Sequence, residues 1–378
     1  MHIQPFKVEE WMNEYEKYCK YDLGNTTVNT LTLEKLFEIC EVDKQYFLNK
    51  LCVNPLGYGY VKGNPDFKKG ISKLYKNVSQ DEIITTIGTA GANHLVFYSL
   101  VEPEDEVISV LPSYQQLYSI PESFGANVKY LHLKQENNFL PDLEELNNLV
   151  SENTKLICLN NPNNPTGALM DEIFLKKIVE IAKKSDAYIL CDEVYRGLNQ
   201  EDIETPSIVD LYEKGISTSG MSKTFSLAGL RLGWTVSKDK PFLKKAFSHR
   251  EYNMISCSVS DETVAALALE NASKIVERNK KTIRENLKIL DNWVKNEKLV
   301  RYVKPQAGTT ALVFYDADIS SKDLCDRLAK ECGVFLTPGF CFELEYCFRI
   351  GYCKDKEQLK KGLEKISSLL NSITAHPV

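Results

Sequence analysis

No apolar run in the chain approaches the roughly 18 residues that a membrane-spanning helix requires. The opening residues, Met1 to Lys7, lack the basic and apolar regions of a secretory leader, so a cytoplasmic location is expected. The 11 cysteines include no Cys-x-x-Cys pair, and the even spacing of Cys341, Cys347 and Cys353 does not match a zinc-ligand pattern. An odd number of cysteines in such a chain reads as reduced, mostly buried thiols rather than a disulfide framework. The 5 histidines form no metal-binding pattern, so no metal is expected. There is no nucleophile-elbow motif, no internal repeat and no low-complexity segment. A net charge of −6 argues against nucleic acid or an anionic membrane as partner.

What remains is the composition of a soluble globular protein, 43% hydrophobic and 26% charged, with 378 residues to bury a sizeable core. At about 150 residues per domain that length allows two or three domains, or one large α/β domain with a smaller appendage. Apolar and aromatic residues recur at helical spacing from Val8 to Tyr21, and a second helix is expected after Thr32 as N-cap. Buried strands are expected at Ile83–Ile87, Asp105–Leu111, Asn127–Leu133, Lys155–Leu159 and Ala187–Asp192, with helices between several of them. A long amphipathic helix from Lys274 to Asn296 precedes strands at Ala311–Tyr315 and Val334–Thr337.

The chemistry gathers where these strands end. Ser217 to Trp234 (STSGMSKTFSLAGLRLGW) reads as a loop that places Lys223 among hydroxyl and small residues, with Arg231 eight positions on. An amine so placed can form a Schiff base while hydroxyls and a guanidinium hold a phosphate. Gly88-Thr-Ala-Gly-Ala-Asn opens a helix directly after a strand, where unpaired N–H groups favour an anion. Tyr114 follows the Asp105–Leu111 strand and is placed to stack on a flat ring. An Asn-Pro-Asn-Asn-Pro-Thr-Gly turn, residues 161–167, follows Lys155–Leu159, and Asp192 closes its own strand, where an unpaired carboxylate is costly.

These motifs, in this order, resemble the class I/II pyridoxal-phosphate-dependent aminotransferases, the fold type I, aspartate-aminotransferase-like enzymes. The resemblance covers essentially the whole chain and is densest from Tyr58 to Trp234. It implies a large α/β domain with a mostly parallel seven-stranded sheet between helices and a smaller α+β domain. On that basis residues 1–45 form a segment joining the small domain, 46–273 the large domain and 274–378 the small domain.

The resemblance also implies roles. Lys223 would hold pyridoxal 5'-phosphate and, once released by an incoming amine, act as acid and base. Asp192 would face the pyridine nitrogen, Tyr195 and Asn164 the phenolic oxygen, and Tyr114 the ring face. The phosphate would lie on the backbone at Thr89 and Ala90, on Ser222 and Arg231, and on Tyr58 reaching across a homodimer interface, with Ser219 as the alternative hydroxyl. Arg349 and Asn164 would bind the substrate α-carboxylate. Arg250 is the one candidate for a distal acid on the substrate. The implied reaction moves an amino group from an L-amino acid to a 2-oxo acid. The same site can instead support β-elimination, as in carbon–sulfur lyases, or a cyclising replacement like that of capreomycidine synthase. A third possibility is a non-catalytic regulator that retains the fold. Where relatives carry a Gly-x-Pro-Asp-like turn, this chain has Gly24-Asn25-Thr26, which marks an unusual subfamily or substrate.

Overall fold

β-Branched and aliphatic runs build the central sheet. The computed structural model describes residues 2–375, so Met1 and residues 376–378, at the ends of the two outer expected segments, lie outside it. Seven strands, β2 (Ile83–Ile87), β3 (Glu106–Leu111), β4 (Asn127–His132), β5 (Thr154–Asn160), β6 (Tyr188–Asp192), β7 (Gly215–Gly220) and β8 (Leu232–Ser237), form one sheet in the order β2-β8-β7-β6-β5-β3-β4. From β7 through β4 all neighbours are parallel, and β8 alone runs antiparallel to both its neighbours, β2 and β7. Burial on both faces is why β3, β5 and β6 read as apolar runs without alternation.

The register aligns the functional strand ends. Asn160 pairs with Asp192, and Asp192 with Thr218, so the ends of β5, β6 and β7 lie side by side. Ligands of open α/β sheets bind outside this carboxyl edge. The stretch expected as one loop from Ser217 to Trp234 is instead two antiparallel strands with Lys223 in the turn between them. Gly220 pairs with Gly233, and glycine at 233 lets β8 pass close to the residues that follow β2, because a Cβ there would sit 2.5 Å from the Thr89 nitrogen.

A second sheet, ordered β12-β13-β10-β9, contains β9 (Val300–Tyr302), β10 (Thr310–Tyr315), β12 (Thr337–Pro338) and β13 (Cys347–Gly351). The helix Ala272–Asn296 leads into it, with Ile275, Ile283, Leu287 and Leu290 on its buried stripe. The chain's beginning packs here too. β1 (Tyr21–Asp22) pairs in parallel with β11 (Val334–Phe335), and Trp11 donates from its indole nitrogen to the Leu336 carbonyl at 2.8 Å.

Two expected elements are corrected by this docking. The N-terminal helix runs only from Lys7 to Tyr15, followed by a short 3₁₀ turn, because Tyr21 and Asp22 are drawn into pairing with β11. The expected Val334–Thr337 strand splits in two, its first half pairing with β1 and its second with β13. Thr32 does cap the helix Leu33–Cys40, accepting from the Lys35 N–H at 3.1 Å. Eight of the 11 cysteines are buried and all are free thiols. Among the described residues no helix is long and apolar enough to cross a membrane.

Candidate active site

A cleft of about 330 Å³ opens at the carboxyl edge of the large sheet, lined by Lys223, Asp192, Tyr195, Arg231 and Arg349 among others. Of the other expected site residues, Thr89, Ala90, Tyr114, Asn164 and Ser222 also line it. Tyr58 does not. It lies in an exposed stretch of the same chain.

Lys223 projects from the β7–β8 turn, and its Nζ donates to the Thr26 hydroxyl at 2.6 Å and to that of Thr27 at 3.3 Å. Burial, reinforced by the nearby Arg349 charge, lowers its pKa to about 8. An amine in that range is neutral often enough to attack a carbonyl and basic enough to take a proton.

Asp192 ends β6 with its carboxylate buried. One oxygen accepts from the Asn93 amide at 2.9 Å and the other from the Val194 N–H at 3.1 Å. Asn93 is itself oriented by Thr218, whose hydroxyl donates to it at 2.6 Å. Burial outweighs these bonds and raises the Asp192 pKa to about 6. No Lys or Arg pairs with it among the described residues, so a cationic ligand nitrogen is the partner this position lacks.

The anion end of the cleft is built by the helix Gly88–Leu100, which starts directly after β2. The Arg231 guanidinium lies against this start, where a Cβ on Gly88 would come within 2.7 Å of its Nη2. Gly88 also takes a φ of +67°, which glycine tolerates best. The Thr89 hydroxyl is buried without a hydrogen-bond partner. Of the two candidate serines, Ser222 lines the cleft, whereas Ser219 sits in β7 and its hydroxyl donates to the Glu193 carbonyl at 3.4 Å.

Arg349 is buried in β13 and gathers three elements. It donates to Asn164 Oδ1 at 3.1 Å, to the Gly24 carbonyl at 3.0 Å and to the Thr337 hydroxyl at 3.0 Å, while its Nε has no partner. A buried guanidinium with a free N–H suits a carboxylate. Tyr195 is buried beside it, and burial raises its phenol to about 12. An N–H of the Asn160–Gly167 turn, that of Asn164, donates to Asn160 Oδ1 at 2.6 Å and holds the Asn164 side chain in place.

The atypical turn at the N-terminus thus has definite work. The Gly24 carbonyl holds Arg349, and Thr26 and Thr27 hold Lys223. Thr26 lies in the turn whose role the sequence left open, and Thr27, Asn93 and Glu9 are site residues that sequence reasoning missed.

Arg250 is corrected. It is 2% exposed and does not line the cleft. Its guanidinium donates to the Thr85 carbonyl at 3.2 Å, the Ile255 carbonyl at 3.0 Å and the Val61 carbonyl. Such a position ties three segments together rather than reading substrate. Arg250→Ala leaves buried carbonyls unpaired and is expected to destabilise by about 2–4 kcal/mol. Thermal unfolding checks this, and the ratio of activities toward acidic and neutral amino acids stays unchanged.

A site with a lysine of lowered pKa, a buried carboxylate without a cation and an anion cradle on a helix N-terminus, set on this sheet, defines a fold type I enzyme dependent on pyridoxal phosphate. The family model described as aminotransferase class I and II matches residues 28–366, and the chain belongs to that family. An aspartate aminotransferase of Thermotoga maritima is 31% identical over 362 residues, covering 92% of this chain and 93% of that protein. A capreomycidine synthase of Streptomyces vinaceus is 27% identical over 373 residues, covering 97% and 93% respectively. A crystal structure of a PLP-dependent aminotransferase from Streptococcus suis 89-1591 superposes with a TM-score of 0.96 at 44% identity, covering 99% of each chain.

The residues present fit the cofactor. The unpartnered Thr89 hydroxyl and the Gly88–Arg231 contact make the phosphate end, and buried Asp192 suits a protonated ring nitrogen.

Proposed function

We propose that this chain moves an amino group from an L-amino acid to a 2-oxo acid, with Lys223 as the residue that carries the proton. The meeting of Lys223, Asp192 and Arg349 in one cleft carries this proposal. Bound pyridoxal phosphate supplies the electron sink that makes the substrate α-proton acidic.

The chain's own residues do the rest. Arg349 binds the α-carboxylate through its free Nε and the N–H groups now shared with protein acceptors, and Asn164 assists. This fixes which face of the α-carbon is turned to Lys223. Lys223 Nζ takes the α-proton and returns it one position along, acting as base and then acid. Thr26 and Thr27 hold that amine between transfers. With the cofactor bound, Asp192 would pair with the ring nitrogen and keep it protonated, Tyr195 and Asn164 would meet the phenolic oxygen, Tyr114 would cover the ring, and Thr89, Ala90, Ser222 and Arg231 would hold the phosphate.

We infer that residues 1–45 and 274–378 act as the smaller domain against 46–273. We further infer a homodimer to which Tyr58 contributes across the interface. The exposed apolar stretch Leu56, Tyr58 and Tyr60, at 90%, 72% and 58% exposure, supports it.

The test is transfer of ¹⁵N from a labelled donor. Label in the amino acid newly formed from an added 2-oxo acid is the expected result. Label released as ammonium, with pyruvate accumulating and no acceptor needed, would instead identify a β-eliminating lyase, and a cyclic product would identify an enzyme like the capreomycidine synthase.

The lowered lysine pKa gives a second prediction. Cofactor-free protein captures pyridoxal phosphate faster as pH rises, with an inflection near the Lys223 value of about 8. Stopped-flow absorbance checks it. The sign follows from burial disfavouring the ammonium, so the neutral, attacking form gains above that pH.

A further inference from the structure

We infer that Glu9, on the N-terminal helix, selects amino-acid substrates whose side chain ends in a cation. This rests on the aminotransferase proposal and names its substrate class.

The charges lining the cleft carry the inference. Within one chain they are three cations, Lys223, Arg231 and Arg349, and two anions, Asp192 and Glu9. Lys223 is committed to the cofactor aldehyde, Arg231 to the phosphate and Arg349 to the α-carboxylate. Arg250, the candidate for a distal acid, is buried elsewhere. Among the described residues of this chain no lining cation is left for an acidic side chain. Among the anions, Asp192 faces the ring nitrogen, and Glu9 is left over.

Glu9 is solvent-exposed, yet it lines the cleft. Tyr114, the residue proposed to cover the ring, donates from its hydroxyl to Glu9 Oε1 at 3.4 Å. Among the described residues no Lys or Arg forms an ion pair with it. Its carboxylate is one of the charges favouring the protonated forms of Lys223 and Arg349, so it acts into the cleft. Val8 and Met12, one residue before and three after it, line the cleft beside it and offer apolar surface to a methylene chain.

The helix that carries Glu9 is held at both domains. Gln115 donates to the Pro5 carbonyl at 2.8 Å and accepts from the Lys7 N–H at 2.9 Å. On the other side Trp11 bonds the Leu336 carbonyl at 2.8 Å, and Lys7 pairs with Glu343 at 2.6 Å. The Phe6 ring packs against that of Tyr114, with centroids 5.1 Å apart. These contacts hold Glu9 in the lining of the cleft. A flexible side chain of three or four methylenes ending in an ammonium or guanidinium matches an acid so placed, and an aspartate or glutamate side chain is repelled by it.

The holoenzyme tests this in single-turnover absorbance, following loss of the aldehyde form of the cofactor with L-ornithine, L-lysine, L-arginine, L-alanine, L-aspartate and L-glutamate. At least one basic donor is expected to react with a kcat/KM roughly 10-fold or more above those of alanine and the two acids. Glu9→Gln should cut the basic-to-neutral ratio by roughly 10-fold, chiefly through KM, and Glu9→Asp should restore part of it. Faster reaction of aspartate or glutamate than of every basic donor, or an unchanged ratio in Glu9→Gln, overturns the inference while leaving transamination standing. If no donor of any charge converts the cofactor, the aminotransferase proposal fails, and this inference with it.

Discussion

Lys223→Ala is expected to lower turnover by on the order of 10⁴-fold, because in the proposed mechanism one amine both holds the cofactor and relays the substrate proton. The two losses are separable. Added methylamine or ethylamine can stand in for the missing base, so part of the rate should return with amine concentration, while cofactor retention should not. Lys223→Arg keeps a cation and removes a usable base, and should not recover activity. The measurement is steady-state transfer with and without added amine, beside the cofactor content of each variant. Turnover within 10-fold of the parent in Lys223→Ala would leave the proton with another residue. Among the described residues no other lysine lines the cleft of this chain.

Asp192→Asn is expected to cost about 10²–10³-fold in kcat, the scale of removing one preorganised charge from a site where charge develops. The fold should survive with one hydrogen bond lost, because the amide matches the carboxylate in shape while its NH2 must face either the Asn93 amide or the Val194 N–H. A distinct signature comes from the cofactor-free protein. Burial raises the Asp192 pKa from 3.8 to about 6, so the folded chain holds that proton where the unfolded chain has lost it. The stability contributed by the protonated acid is therefore present below pH 3.8 and is lost as pH rises through about 6. The loss amounts to about 3 kcal/mol across that window. Asp192→Asn does not titrate and should lack this loss, which denaturant unfolding of cofactor-free protein at pH 4, 5, 6 and 7 would measure at ~0.5 kcal/mol precision. An identical pH dependence in parent and variant would show that the carboxylate is solvated rather than held for a cation.

These two residues, with Tyr114 and Asn164, were legible in the sequence for a local reason. Asp192, Tyr114 and Asn164 each end or follow an apolar strand, and a strand buried on both faces announces itself by hydrophobicity alone, whereas Lys223 follows the polar strand Gly215–Gly220 and was legible through its own motif. Order along the chain then sufficed, because parallel neighbours β5, β6 and β7 bring their carboxyl ends to one edge. The long helix and the capped helix after Thr32 were legible through periodicity and capping, which are also local.

What was hidden depended on distant contacts. Thr26 meets Lys223 across 197 residues of chain, and no spacing rule connects them. Arg250 was ambiguous because an arginine after a helix serves equally as an exposed cation or a buried tie. Three carbonyls from separate segments decide for the tie. The N-terminal helix looked longer than it is because the aromatic spacing continues to Tyr21, where pairing with Val334 takes over. Glu9 had no signal of its own. It is one acid in an acidic helix until Gln115 and Leu336 hold that helix over the cleft.

The most direct test of the account is borohydride reduction of the holoenzyme followed by peptide mass mapping. A phosphopyridoxyl group on the peptide containing Lys223, at one per chain, is the predicted result, and prior incubation with an amino-acid donor should protect that lysine from labelling. Label on a different lysine, or none on a protein shown to contain the cofactor, would contradict the assignment of Lys223 on which the proposed function and the role of Glu9 both stand.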